Sequence, residues 1–348
     1  AEDGRARLYA RSELAGEGER WTHRWHALNA RHVTMLEGQA APDAIDEYRF
    51  YQVLLGAWPL SAEEVDDALR ARLRGYFRKA VSEAKRHTSA LRPNEDYFKA
   101  CDRFVDGVMA ADGDVGRVPS PAGGVAGGRA GLRGEGTPPT LQNPFLAVFA
   151  PGAARVARLG MINSLVQVVL KCTVPGVPDI YQGNEIWDFS LVDPDNRRPV
   201  DYAQREDLLK NLPGRSTREL WENWRDGAIK LKVTRTLLRF RGERAKLFAD
   251  GSYLSVPTEG AFAGSAVAFV RERGDAAVLV VVPRLFAALG VPPLGVVWEN
   301  TRVKPTRKAV RWRNLLTGAE VADEALWLRT VFEEMPVAVF ESVGDPAL

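Results

Sequence analysis

Cysteine is nearly absent from this chain: Cys101 and Cys172 are the only two, and they lie far apart in segments that read as helical. That excludes a disulfide framework, and both read as buried free thiols of a protein kept in a reducing cytosol. Histidine is also sparse. His23, His26, His32 and His87 have no accompanying cysteine pattern, so neither a metal site nor a cofactor is expected. Charge of one sign is lacking too: 47 basic residues face 45 acidic ones, for a net charge of +2. This leaves no electrostatic case for nucleic acid or an anionic membrane as partner. No apolar run looks long enough to cross a bilayer, and no signal peptide opens the chain. The first residue is Ala1 rather than Met and a charged helical stretch follows, which leads us to expect a piece of a longer polypeptide.

What is present suits a globular protein of one large domain or two to three smaller ones, with 45% hydrophobic residues in 348. Nine tryptophans suit sugar stacking, but core packing is the commoner use of each. The apolar spacing predicts helix from Glu2 to about Leu36, with its arginines forming a solvated face. A second helix begins at Asp46 and stops at Pro59. Ser61 and Glu64 form a capping box ahead of Val65, Leu69, Leu73 and Phe77, and another helix covers Glu95 to about Met109. Residues 113–140, dense in Gly and Pro, read as a flexible surface loop. Ala153 to about Leu170 predicts a long helix running into a short buried strand at Cys172-Thr-Val, and a last helix covers Glu219 to Arg241. Beyond Gly251 the period changes. Ala266–Arg271, Ala277–Val282, Lys308–Trp312 and Val337–Glu341 predict strands of a compact antiparallel β domain.

The most informative segment is Pro175-Gly-Val-Pro-Asp-Ile-Tyr-Gln-Gly-Asn-Glu185, followed by Asp193-Pro-Asp-Asn-Arg-Arg-Pro-Val200. It reads as a strand end opening into a glycine-hinged loop, then a polar loop with two carboxylates and two guanidiniums. Barrel enzymes put substrate contacts on such a rim. The two motifs together resemble the α-amylase superfamily of retaining glycoside enzymes, glycoside hydrolase family 13, and within it the trehalose-forming synthases. Other stretches resemble that branch as well: Tyr51–Pro59, Glu83–Ser89, Trp224–Leu231, Val282–Leu285 and Leu316–Gly318. One departs from it, because Ala90 stands where the family usually has a tryptophan after Ser89.

The resemblance implies an α/β plus all-β fold: the C-terminal part of a (β/α)8 barrel with a helical insertion, then an antiparallel β-sandwich. Its boundaries would be 1–45 for the barrel helix after strand seven and 46–112 for the insertion. The loop would span 113–140, the last barrel helix-strand-helix elements 141–250, and the β domain 251–348. It implies an isomerase that turns the reducing-end α-1,4 linkage of a maltooligosaccharide into an α,α-1,1 linkage through a covalent glycosyl-enzyme intermediate. Retaining chemistry needs two carboxyl groups about 5 Å apart. Residues Ala1–Arg7 resemble the helix start that follows the family's third catalytic Asp, so all three catalytic carboxylates are expected before Ala1. No catalytic residue is therefore nominated, Asp179 and Glu185 included, and the isolated chain is expected to be inactive, with an open barrel edge.

Substrate contacts are expected from Asp179, Tyr181, Gln182 and Glu185 at the end of the eighth barrel strand. Of Arg197 and Arg198, one is expected to bind sugar and the other to join Asp193 and Asp195 in a scaffold. His87, Thr88 and Ser89 are expected at a reducing-end glucose, and Trp187 either stacks on sugar or packs beneath its loop. The partners expected are maltooligosaccharide and a missing N-terminal barrel portion. Two alternatives stay open: a non-catalytic glucan-binding module, and a fragment of another amylase relative such as a hydrolase.

Overall fold

Apolar residues recur every fourth position from Val65 to Phe77, and in the computed structural model Leu69, Leu73 and Phe77 share the buried face of a helix with Val81, while Val65 lies ahead of it. The structure describes residues 2–110, 143–305, 311–322 and 325–344. It divides into two compact units. A helical unit comprises Ala15–Arg155 and Ser190–Asn196, and a mixed unit comprises Ala1–Leu14, Val156–Phe189 and Arg197–Leu348.

In chain order the elements begin with helices α1 (Glu2–Tyr9) and α2 (Ala15–Asn29) and the hairpin strands β1 (Thr34–Leu36) and β2 (Gln39–Ala41). Helices α3 (Ala44–Ala57), α4 (Asp67–Ala84), α5 (Glu95–Met109) and α6 (Pro144–Thr173) follow. The single helix expected over Glu2–Leu36 is thus broken by a 3-10 turn at Ala10–Leu14 and ends before the hairpin. Glu37 and Gly38 both take positive φ, the geometry that closes a two-residue hairpin loop, and this turn overrides the helical spacing. Ser61 caps only a 3-10 turn, accepting from the Glu63 N–H. Asp66, not Ser61, caps α4 by accepting from Leu69 N–H. The core of this unit is aromatic. Trp25 meets Phe149 at 4.9 Å between ring centres, and Phe50 meets Phe77 and Phe104 at 5.5 Å each.

Helix α6 corrects another expectation, since its 30 residues are long and apolar enough to cross a membrane. The apolar window is 61% buried within the protein, however, as suits a core helix. The short strand expected at Cys172-Thr-Val does not form: Cys172 and Thr173 continue α6 to its end, and residues 177–181 have no regular structure. Beyond come α7 (Tyr202–Asn211), α8 (Thr217–Glu222), α9 (Ala228–Glu243) and α10 (Ala245–Asp250). The helix expected over Glu219–Arg241 is therefore two, parted by Gly227 at φ 79°. Arg7 also departs from expectation, being 1% exposed rather than part of a solvated face.

The C-terminal region holds β3 (Ser252–Val256), β4 (Thr258–Glu259), β5 (Ala266–Arg273), β6 (Ala276–Pro283), β7 (Arg302–Val303), β8 (Arg311–Asn314), β9 (Glu320–Val321) and β10 (Leu326–Trp327). A short helix α11 (Leu328–Val331) and β11 (Ala338–Val343) complete it. One six-stranded antiparallel sheet has the order β3-β5-β6-β11-β8-β9, and a three-stranded sheet has the order β10-β7-β4. Ala277 to Pro283 are all buried, so central strand β6 is covered on both faces. The strand expected from Lys308 begins at Arg311, the preceding residues lying outside the described ones. The loop expected over 113–140 lies outside them as well.

Candidate functional site

In the mixed unit, the segment from Val174 to Phe189 is held at its entry and along its exit. At the entry, Arg241 donates to the carbonyls of Cys172 (2.9 Å) and Gly176, and Arg271 donates to Thr173 O (3.1 Å). Two guanidiniums thereby satisfy carbonyls at the C-terminus of α6, where the helix dipole favours cations. Arg271 is 1% exposed and also donates to the carbonyls of Ser252, Phe248 and Gly251. Burial lowers its pKa, and the neighbouring Arg241 adds to the effect.

Along the exit, the fixed point is Asp3. Its carboxylate accepts from Lys230 Nζ at 3.0 and 2.9 Å, from Ser164 Oγ at 2.5 Å and from the Asp188 N–H at 2.7 Å. Both charges are buried, Asp3 at 2% and Lys230 at 0% exposure. Nearby, Lys171 pairs with Glu2 at 2.8 Å, and the Arg7 guanidinium lies 3.5 Å over the Phe189 ring. Burial lowers Arg7 to about 9, with the Asp3 charge acting in the other direction. Trp187 is half-buried, and its indole donates to Trp224 O at 2.5 Å.

Onto this base the structure puts Asp179, Tyr181 and Gln182, all exposed, and Glu185, half-buried. Glu185 accepts from Arg205 Nε at 3.1 Å, and Arg205 also donates to Gly183 O at 2.6 Å. Arg197 and Arg198 are exposed in the same unit. The carboxylates of the second motif belong to the helical unit instead. Asp195 takes a bidentate pair from Arg72 of α4 at 2.8 and 2.9 Å, and Lys79 donates to Asp193 O at 2.6 Å.

His87, Thr88 and Ser89 are also in the helical unit. His87 Nε2 lies 2.8 Å from Asp43 Oδ2, and its ring stacks on Tyr97 at 4.7 Å. Asp43 caps α3 through the N–H groups of Ile45 and Asp46, and it pairs with Arg86. Burial, the largest influence, pushes the Asp43 carboxyl up, but the Asp46 N–H, His87 and Arg86 together outweigh it and bring it down to about 2. Thr88 is buried and its hydroxyl accepts from Asn94 N–H, while Ser89 Oγ accepts from Arg92 N–H, so both brace the turn before α5. His87, Arg86, Asn94, Asp96 and Tyr97 line a cavity of about 490 Å³ with the β1–β2 hairpin. Asp43, Asp46 and His87 have metal-ligand spacing, within 4.8 Å of one another. Arg86 on Asp43 and the Tyr97 hydroxyl on Asp46 (2.7 Å) make the group an ion-pair network instead.

Sequence reasoning missed Asp3, Lys230, Asp43, Arg205 and Arg72. Two signals were available. Lys230 lies between Ile229 and Leu231 in an apolar helix start, and Asp43 precedes a helix with acidic residues in its first turn.

No protein-family model matches the sequence. Over 299 residues, 86% of this chain, it is 33% identical to a Mycobacterium tuberculosis H37Rv protein described as a maltooligosyl trehalose synthase, of which it covers 32%. The structure of maltooligosyltrehalose synthase from Arthrobacter ramosus superposes with a TM-score of 0.71 at 28% identity, over 99% of this chain and 37% of that one. A further crystal structure of a maltooligosyl trehalose synthase shares the fold, with a TM-score of 0.71 at 24% identity. The chain spans about a third of the length of the curated relatives it matches.

Proposed function

The chain is a homologue of the maltooligosyl trehalose synthases, and on that premise we propose that it supplies the acceptor-side wall of a glucosylmutase acting on maltooligosaccharides. The observation that carries this reading is the 33% identity sustained over 299 residues. In this reading α6, the irregular segment after it and α9 correspond in chain order to the last helix-strand-helix elements of a (β/α)8 barrel. The helical unit contains the insertion, and the two C-terminal sheets form a β-sandwich.

The reaction is an intramolecular transglycosylation in the cytosol. The glucose freed at the reducing end is held in place, turned over and rejoined as an α,α-1,1 linkage. Retaining chemistry needs a nucleophile and an acid/base. We assign neither to residues 1–348, so catalysis rests on what the other two thirds of the relatives supply. This chain's part is to bind and to exclude water, which would otherwise divert the intermediate to hydrolysis. Asp179, Tyr181, Gln182 and Glu185 are proposed to meet sugar hydroxyls from the loop, with one of Arg197 and Arg198 beside them. His87, held by Asp43, is proposed to face the reducing-end glucose, with Thr88 and Ser89 shaping its turn.

Titration of the chain with maltopentaose, followed by tryptophan fluorescence, tests this reading. Saturable quenching is expected, and a flat titration of a folded chain would contradict it.

A further inference from the structure

We propose that Asp3 and Lys230 are positioning residues: their buried ion pair sets the geometry of the loop that carries Asp179, Tyr181, Gln182 and Glu185. The inference rests on the reading of that loop as sugar-facing.

Four observations carry it. First, the pair holds main chain as well as charge. Asp3 accepts from the Asp188 N–H, and Lys230 Nζ donates to Ile186 O at 3.4 Å, so both groups fix backbone two residues apart. Second, the fastening continues through the neighbours. Asn184 reaches Glu2 at 3.4 Å, Trp187 reaches Trp224 O, and Phe189 lies under Arg7. Glu185, within the same stretch, is held by Arg205.

Third, Gly227 at the start of α9 lets this helix approach the loop. A β-carbon there would lie 2.7 Å from Ile186 Cβ and 3.1 Å from Trp187 N. Lys230 stands one turn farther along the same helix, so its ammonium is delivered to the loop by backbone contact. Fourth, Asp179, Tyr181 and Gln182, ahead of the fastened stretch, are accessible. The arrangement is an exposed tip on a fixed base, which lowers the entropy lost when a ligand orders the tip.

An apolar pair of similar volume avoids the cost of desolvating two charges, which offsets much of the stability lost with the pair. What an apolar pair cannot do is grip an N–H and a C=O of the loop. Stability and loop geometry are therefore separable by mutation.

The test uses the full chain carrying Asp3→Leu with Lys230→Met, compared with wild type in urea unfolding, hydrogen exchange and maltopentaose titration. The expected result is a chain that still unfolds cooperatively in urea, amides of residues 184–189 exchanging about tenfold faster, and maltopentaose affinity lower by about tenfold. Wild-type exchange and affinity would overturn the proposal, as would faster exchange with wild-type affinity, which makes the pair a scaffold alone. Should the double variant fail to fold, Ser164→Ala keeps both charges and removes one bond to Asp3. Exchange should then rise in 184–189 and stay unchanged in β5 and β6, and no rise there would overturn the proposal. A wild-type chain that binds no maltopentaose would sink the sugar-facing reading instead, while the exchange data still decide whether the pair fixes the loop.

Discussion

Gly160 of α6 and Arg7 of α1 touch backbone to backbone: a β-carbon on Gly160 would lie 2.7 Å from the Arg7 Cα. Real β-carbons do not come that close, so the two helices meet here only because residue 160 has no side chain. Gly160→Ala is expected to lower unfolding free energy by about 1–3 kcal/mol, the usual cost of overpacking. Urea denaturation measures it, and an unchanged midpoint would show that α1 can shift freely.

Arg271 supports three chain segments at once through its bonds to Thr173, Phe248, Gly251 and Ser252 carbonyls. Lysine keeps the charge but offers a single ammonium that cannot span them. Arg271→Lys is expected to cost about 2 kcal/mol by leaving buried carbonyls unpaired. Hydrogen exchange should locate the loss at the end of α6 and in β3.

Asp43 gives a pH signature. Its carboxyl titrates near 2 in the folded chain, below the ordinary 3.8, so its partners stabilise the charged form. That stabilisation is fully present above about pH 4 and is lost as pH falls toward 2. Wild type should therefore exceed Asp43→Asn in stability at neutral pH, with the gap closing between those two pH values. A gap independent of pH over that range would contradict the assignment.

Tyr181 and Gln182 are exposed, so truncating them should leave stability within about 0.5 kcal/mol. Tyr181→Ala and Gln182→Ala are each expected to weaken maltopentaose binding by about tenfold, a loss of one good hydrogen bond or ring contact. Wild-type affinity in both would remove the loop from the proposed site.

Helix α5 was legible to the residue, because Asn94 caps it and its apolar stripe from Tyr97 to Val108 is regular. The strand β6 was legible for a similar reason, as an unbroken Val-rich run. The hairpin at Glu37-Gly38 and the break at Gly227 were not, since both depend on positive φ values that helical spacing conceals. The strand expected at Cys172-Thr-Val was a matter of context: a ladder belongs to two segments, and the sequence of one does not supply the other, so Cys172 and Thr173 stay in α6. Within the candidate site the exposure of Asp179, Tyr181 and Gln182 was legible in the polar, glycine-hinged loop. Its base was not, because Asp3 and Lys230 are 227 positions apart and only the fold brings them together.

The most direct test of the central claim is a chimera in which this chain replaces the matching third of the Mycobacterium tuberculosis relative, incubated with maltopentaose. The measurement is loss of reducing ends set against release of free glucose. The account predicts loss of reducing ends with little glucose. Glucose release as the main event, or a folded but inert chimera, would contradict it.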